Sequence, residues 1–459
     1  MTLLQPIYCI VFNLIYRITE SIPEKIRNIL MQICTVLLAF TIIFRSSGVA
    51  VPAALYVILL TLIMAFSINK PIEKIKTNKF FELVYYIGFI FMFIATLLHK
   101  VAYEFQMNSI IYLFIFPGLY LIWNNRKDYQ VLFNRLAKGF VISGTLYYIY
   151  CILMAPISEL TIVPSAESYF ATTVNPNGLG IMALSNMLCA IYLYISETGK
   201  KRIWYLIIIG VSFALIGLAE ARASLIGAVI AFVIWCIYYL RQGKHIEGSF
   251  VKSIVVIVSI VLIIAISTPI TKGLFSVTAP EPAAAFSVGE LMEDIGLGNI
   301  KDKFENKTVD KNSFFTGRVI LWQYYSKSPT LFGNDQEIFV PEARKNGIKL
   351  GPHNTTLDMM NQTGVVSAIA NLLLQSNVMI FVLLALFYKK QNGLVHRNIK
   401  SDDRKIEYYT LIILCASAFV SIGIVEALTR ATRWGITTLF YFVITPLLSD
   451  EEWKREFDK

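Results

Sequence analysis

Residues 203–240 read IWYLIIIGVSFALIGLAEARASLIGAVIAFVIWCIYYL, and Glu220 and Arg222 are their only charged side chains. Two apolar runs flank a connection of a few residues. Each run is close to the length an α-helix needs to cross a hydrocarbon core of about 30 Å, so the stretch reads as a hairpin of two membrane spans.

Outward from this hairpin the pattern repeats. Of 459 residues, 56% are hydrophobic and 16% are charged, against about 25% charged in soluble domains. Twelve spans are expected, near 28–44, 49–68, 81–98, 108–123, 138–155, 177–196, 203–219, 224–240, 251–268, 356–388, 408–426 and 432–448. The fold class is therefore an all-α polytopic membrane protein of about twelve transmembrane helices with one long, partly helical loop. It divides into N-terminal spans (1–268), the loop (269–355) and C-terminal spans (356–459). Residues 3–18 are apolar but short, which suits an interfacial or half-buried helix. As one helix, 356–388 would be about 50 Å long at 1.5 Å per residue. Either its first turns stand above the bilayer or it breaks near Gly364.

The net charge of +10 resembles a nucleic-acid footprint, but its distribution excludes that class. Lysines and arginines cluster in alternate connections: 70–79, 126–138, 200–202, 241–252 and 389–405. The intervening connections are nearly free of them. By the positive-inside rule both termini are cytoplasmic and the long loop is extracytoplasmic. The N-terminus lacks the basic region of a signal peptide. The six cysteines lie in or beside apolar runs, with no disulfide framework and no metal-ligand spacing. No nucleotide-binding or HExxH motif is present, and the first outer connection, Arg45–Gly48, carries no acidic pair. A site free of metal and cofactor is expected.

The second half of the loop, 316–354, reads TGRVILWQYYSKSPTLFGNDQEIFVPEARKNGIKLGPHN. It contains an amphipathic helix at about 317–327, with Thr316 as N-cap and Pro329 just past its end. Three residues are candidates for one outer site. Arg222, with Glu220 beside it, reads either as a snorkelling arginine or Glu–Arg pair capping a hairpin, or as an anion-binding guanidinium at a helix start. Arg318 reads either as a solvated loop arginine or as a cation that a bound anion would explain, since a helix N-terminus disfavours positive charge. His353, followed by Asn354, reads either as an inert histidine or as a general base at the mouth of a span. Arg430 and Arg433, in the last outer connection, read equally as a second phosphate site or as partners of Glu426. Asn175-Pro-Asn177-Gly178 opens a span, with either asparagine as its cap. Asn306-Lys-Thr matches a glycosylation sequon without other signs of a secretory protein.

These stretches together resemble the O-antigen ligase and O-antigen polymerase superfamily of bacterial envelope enzymes. The resemblance covers about 171–390: NPNGLG at 175–180, the hairpin arginine in EARAS, GRVILW at 317–322, and an outer loop ending in His353-Asn354. The ligase spacing of His-Asn, nine residues, then Gly is met by Gly364, but the glycine expected three residues later is Ser367. The resemblance implies a GT-C-like membrane enzyme in the bacterial cytoplasmic membrane with its active site on the outer face. It implies that Arg222 and Arg318 hold the diphosphate of an undecaprenyl-diphosphate-linked glycan, and that His353 acts on the acceptor hydroxyl. A polymerase, working beside a chain-length regulator protein, is favoured by a composition rich in Ile, Lys, Asn and Tyr, as in low-GC bacteria, many of which lack lipopolysaccharide. A ligase acting on lipid A core is the alternative. A flippase of lipid-linked glycans would instead need charged residues buried mid-span, and the spans are nearly free of them.

Overall fold

The computed structural model describes residues 4–99, 103–157, 161–163, 168–243, 249–276, 318–327, 329–348, 350–387 and 399–449. Residues 277–317, the first part of the loop with Thr316 and the Asn306 sequon, lie outside these. The architecture is all-α apart from a two-residue antiparallel pairing of Ile162–Val163 with Ser168–Tyr169.

Helix α1 (Gln5–Thr19) has the amphipathic form expected of an interfacial helix. Ile7, Ile10, Val11, Leu14 and Ile18 are exposed along one stripe. The other face is pinned to an extended segment. Asn13 Nδ2 donates to the Ile72 carbonyl at 3.1 Å and its Oδ1 accepts from the Ile72 N–H at 2.7 Å. Gln5 does the same with Ile75, at 3.1 and 3.0 Å. Two amide side chains thus satisfy backbone that has no strand partner.

Helices α2 (Glu24–Ser46), α3 (Ala53–Ser67), α4 (Lys79–Leu98), α5 (Tyr103–Ile110), α6 (Phe116–Arg126), α7 (Tyr129–Met154), α8 (Pro176–Ser196), α9 (Lys201–Leu218), α10 (Arg222–Gly243) and α11 (Ser249–Phe275) follow in order. The loop contributes α12 (Arg318–Tyr325) and α13 (Gln336–Lys345), and the chain closes with α14 (Thr355–Thr363), α15 (Val365–Phe387), α16 (Ile399–Gly423) and α17 (Gly435–Val443). Among the described residues, nine helical stretches are long and apolar enough to cross a membrane, and Ala53–Ser67 and Tyr408–Gly423 are shorter apolar helices. One of the nine, Phe105–Arg126, joins α5 and α6 through a π-helical turn at Ile111–Ile115. Within the turn Phe116 N donates to Ile111 O, and Pro117, which has no N–H to give to the Leu113 carbonyl four residues back, follows it. Tyr85 Oη donates to the Tyr112 carbonyl at 2.6 Å.

The expected long span 356–388 is two helices. The chain breaks at Gly364, where φ is +96° and a Cβ would sit 2.0 Å from the Leu331 carbonyl oxygen. No other residue type fits that backbone and that contact.

The expected span 432–448 is not a single helix. Its helix, α17, has 9 residues followed by a 3-10 turn at Thr445–Leu448, and 9 residues reach only about 14 Å. The chain leading into it, 424–434, is irregular and largely buried. Apolar composition alone suggested helix, but side chains from other elements capture this backbone. Tyr112 Oη donates to Thr429 O and accepts from Ala431 N, both at 3.0 Å. Asn108 Oδ1 accepts from Thr432 N, Thr437 and Thr438 donate to Leu428 O and Ala431 O, and Ser46 donates to Arg433 O. Irregular backbone buried in this way is tolerable only when protein groups replace water as its hydrogen-bond partners.

Helix α8 is the axis of the bundle, almost entirely buried and apolar all round, whereas α11 lies at the periphery. Small residues let the neighbours of α8 approach. A Cβ on Gly180 would lie 2.2 Å from Ala221 Cβ, so the α9–α10 turn is drawn against the first turns of α8.

Candidate functional site

At the end of the bundle where α8 and α10 begin, seven residues line an open cavity of about 210 Å³: Asn177, Glu220, Arg222, Ala223, Arg318, Leu321 and His353. The two candidate arginines and the candidate histidine therefore share one pocket, although they belong to three separate parts of the chain.

Each is delivered by a local feature. Arg222 is the first residue of α10, placed by the close contact of Gly180 with Ala221. Arg318 is the first residue of α12. That helix also fixes the histidine loop: Trp322 Nε1 donates to Pro352 O at 2.9 Å and Tyr325 Oη donates to Leu350 O at 3.1 Å. His353 follows directly, and Asn354 caps α14, its Oδ1 accepting from Leu357 N at 2.9 Å. Asn354 Nδ2 also donates to Ile424 O at 2.8 Å, which ties α14 to the irregular segment. Asn354 is thus a structural cap beside the pocket. Of the two asparagines at the start of α8, Asn175 is the cap, its Oδ1 accepting from Gly178 N at 2.9 Å, and Asn177 faces the pocket.

The residue at the centre is Glu426. Its Oε1 accepts from Arg318 Nη2 at 2.6 Å and from Asn177 Nδ2 at 2.9 Å. Its Oε2 lies 3.0 Å from His353 Nδ1. The carboxylate side chain is only 9% exposed. Burial of a charge this deep costs several kcal/mol unless partners replace water, and charge-assisted bonds from three side chains do so. The backbone beneath is held as well: Thr355 Oγ1 donates to Glu426 O at 2.9 Å and accepts from Leu428 N at 3.0 Å.

Glu426 therefore partners Arg318 and His353, not Arg430 or Arg433. Arg430 lies over the Phe105 ring at 4.9 Å and Arg433 over the Trp434 ring at 5.3 Å, and neither lines the pocket. Arg430 also acts on Asp358, a buried carboxylate on α14 that accepts from Thr429 Oγ1 at 2.7 Å. Burial pushes the Asp358 carboxyl above its ordinary range, and the Arg430 charge opposes that rise.

The Arg222 guanidinium, by contrast, has no ion pair with a described residue. The contact between Glu220 and Arg222 is through the backbone, the Arg222 main-chain N–H donating to Glu220 O at 2.9 Å. Two of the four non-glycine residues with positive φ among the described residues are at this site, Glu220 at 47° and His353 at 46°. Such conformations cost on the order of 1–3 kcal/mol each and persist where surrounding structure enforces them. Here the α8–α10 contact and the α12 clamp do so.

Chemically the pocket offers one guanidinium without an ionic partner among the described residues, a second shared with a carboxylate, and an imidazole whose Nδ1 is taken by that carboxylate. With Nδ1–H donating to Glu426, Nε2 is the acceptor. Among the described residues no group of three His, Cys, Asp or Glu side chains is placed to hold a metal ion. Comparison of the chain with protein-family models, with curated proteins and with solved structures finds no match.

Proposed function

We propose that the chain is a metal-independent membrane glycosyltransferase that uses a polyprenyl-diphosphate-linked glycan as donor and a sugar hydroxyl of a second lipid-linked unit as acceptor. The observation that carries this reading is the convergence of Arg222, Arg318 and a carboxylate-held His353 on one open cavity at the end of a membrane helix bundle. A diphosphate leaving group needs compensation of its developing charge, and two guanidiniums supply it. The acceptor oxygen attacks the anomeric carbon, the bond from that carbon to the diphosphate oxygen breaks with its electrons going to the diphosphate, and the hydroxyl proton passes to His353 Nε2. Attack opposite the leaving group inverts the anomeric centre. The products are an elongated glycan and free polyprenyl diphosphate, and the bond broken supplies the driving force.

In this reading the chain makes twelve passes, α17 and its 3-10 turn completing the last one. The termini face the cytoplasm and the pocket faces outward, in the bacterial cytoplasmic membrane. A polymerase is favoured over a ligase because Ser367 stands where the ligase pattern has glycine.

Two measurements test this. Purified protein in lipid nanodiscs, given undecaprenyl-diphosphate-linked repeat units, is expected to produce a ladder of longer glycans; a folded preparation that leaves the units unchanged rejects the reading. For orientation, a cysteine introduced at position 310 is expected to react with an impermeant maleimide on intact cells, and one at position 396 only after lysis. The reverse pattern would put the pocket on the wrong side.

A further inference from the structure

Glu426 sits where a substrate anion would be expected. We infer that it is an exchangeable occupant of the Arg318 anion seat: a diphosphate takes Arg318 by displacing Glu426 Oε1, and the carboxylate, still held to His353 through Oε2, is thereby turned over to the base. This inference rests on the diphosphate reading of the pocket.

The two carboxylate oxygens have separate partners. Oε1 carries Arg318 at 2.6 Å and Asn177 at 2.9 Å, and Oε2 carries His353 Nδ1 at 3.0 Å. Glu426 gives Arg318 only one oxygen, whereas a phosphate group can offer the guanidinium fork two, so a diphosphate can compete for Arg318 with the better geometry. Loss of Arg318 leaves Oε1 with its bond from Asn177, which α8 anchors. The Glu426 main chain stays fixed, its carbonyl bonded to Thr355 at 2.9 Å and its N–H to Ile422 O at 2.8 Å. The exchange therefore needs side-chain movement only.

The electrostatic consequence is directional. While Arg318 is paired with Glu426, its positive charge cancels part of the field that the carboxylate exerts on the imidazole. Once a diphosphate holds Arg318, the carboxylate charge acts on Nδ1–H with less cancellation and favours the imidazolium that forms when Nε2 takes a proton. Arg222, with no ion pair among the described residues, is placed to receive the anion first. The base is thus armed after the donor is seated, so deprotonation of the acceptor follows donor binding.

The probe is inorganic pyrophosphate, titrated calorimetrically into the full chain in nanodiscs. Glu426→Gln removes the competing charge and preserves shape. It is expected to bind pyrophosphate about tenfold more tightly than wild type, the scale of one hydrogen bond to a charged group, and adding Arg318→Ala is expected to abolish the gain. Equal affinities in wild type and Glu426→Gln, with binding still dependent on Arg222, would overturn the exchange while leaving the diphosphate reading intact. No binding to any folded variant would remove that reading itself. A second measurement covers failure of the variant to fold. In wild-type protein labelled with ¹⁵N-histidine, pyrophosphate is expected to move the His353 Nδ1–H resonance downfield, and an unmoved resonance at saturating pyrophosphate overturns the exchange.

Discussion

Turnover of His353→Ala is expected to fall by about 10² to 10⁴, the usual worth of a positioned general base, while donor affinity changes little. The separation follows from the geometry. In the proposed reading donor charge is met by Arg222 and Arg318, which line the pocket, and the mutation leaves both guanidiniums in place. The imidazole is held through Nδ1 by Glu426 at 3.0 Å, which leaves its other nitrogen for the acceptor in that reading. Activity of the wild type should also decline at acid pH, because a protonated imidazole cannot accept the hydroxyl proton, and the residual activity of the variant should lack that decline. Single-turnover rates across pH, with donor affinity measured separately, check both. A variant that keeps wild-type turnover and only binds donor less tightly would make His353 a binding residue and place the base elsewhere.

Much of this site was legible before the fold was known, and the parts that were not have identifiable causes. Arg222, Arg318 and His353 could be assigned to one side because lysines and arginines alternate between connections, a signal that needs no knowledge of packing. The break at Gly364 was legible as one of two alternatives, because one helix over 356–388 is too long for a bilayer unless its first turns stand above it. Nearness in sequence offers Arg430 and Arg433 as partners of Glu426, on equal terms with a second phosphate site. Glu426 instead reaches residues 73 and 108 positions away, and Arg430 turns to Phe105. An acidic residue at the end of an apolar run is costly there and suggests a buried partner, which was the available clue. Sequence alone could not choose between Asn175 and Asn177 as cap, since the choice depends on backbone geometry at the start of α8. The last expected span is not one continuous helix for a related reason. Composition reports apolarity, whereas the conformation of 424–434 is decided by Tyr112, Asn108 and Thr355, none of them within that segment.

The second large effect concerns the arginines. Lysine keeps the charge but replaces a planar fork of five donors by a flexible point charge. Arg222→Lys and Arg318→Lys are therefore expected to lose about 10- to 100-fold in kcat/KM with the lipid-diphosphate donor, on the scale of one or two charge-assisted hydrogen bonds. The two differ in how the loss divides. Arg222 has no ion pair among the described residues, so its replacement should act mainly through donor affinity. Arg318 holds Glu426 at 2.6 Å until the diphosphate takes it and leaves the carboxylate to His353, so Arg318→Lys, which makes that exchange less completely, should lower kcat as well as weaken binding. A chelator should leave wild-type turnover unchanged, since in this reading the guanidiniums carry the charge compensation that a metal supplies elsewhere. The measurement is steady-state kinetics of both variants with donor varied at saturating acceptor, with and without chelator. Full activity in both lysine variants would reduce Arg222 to a snorkelling residue and Arg318 to a structural partner of Glu426. Strong inhibition by the chelator would require a metal in the step and would displace the two-arginine account.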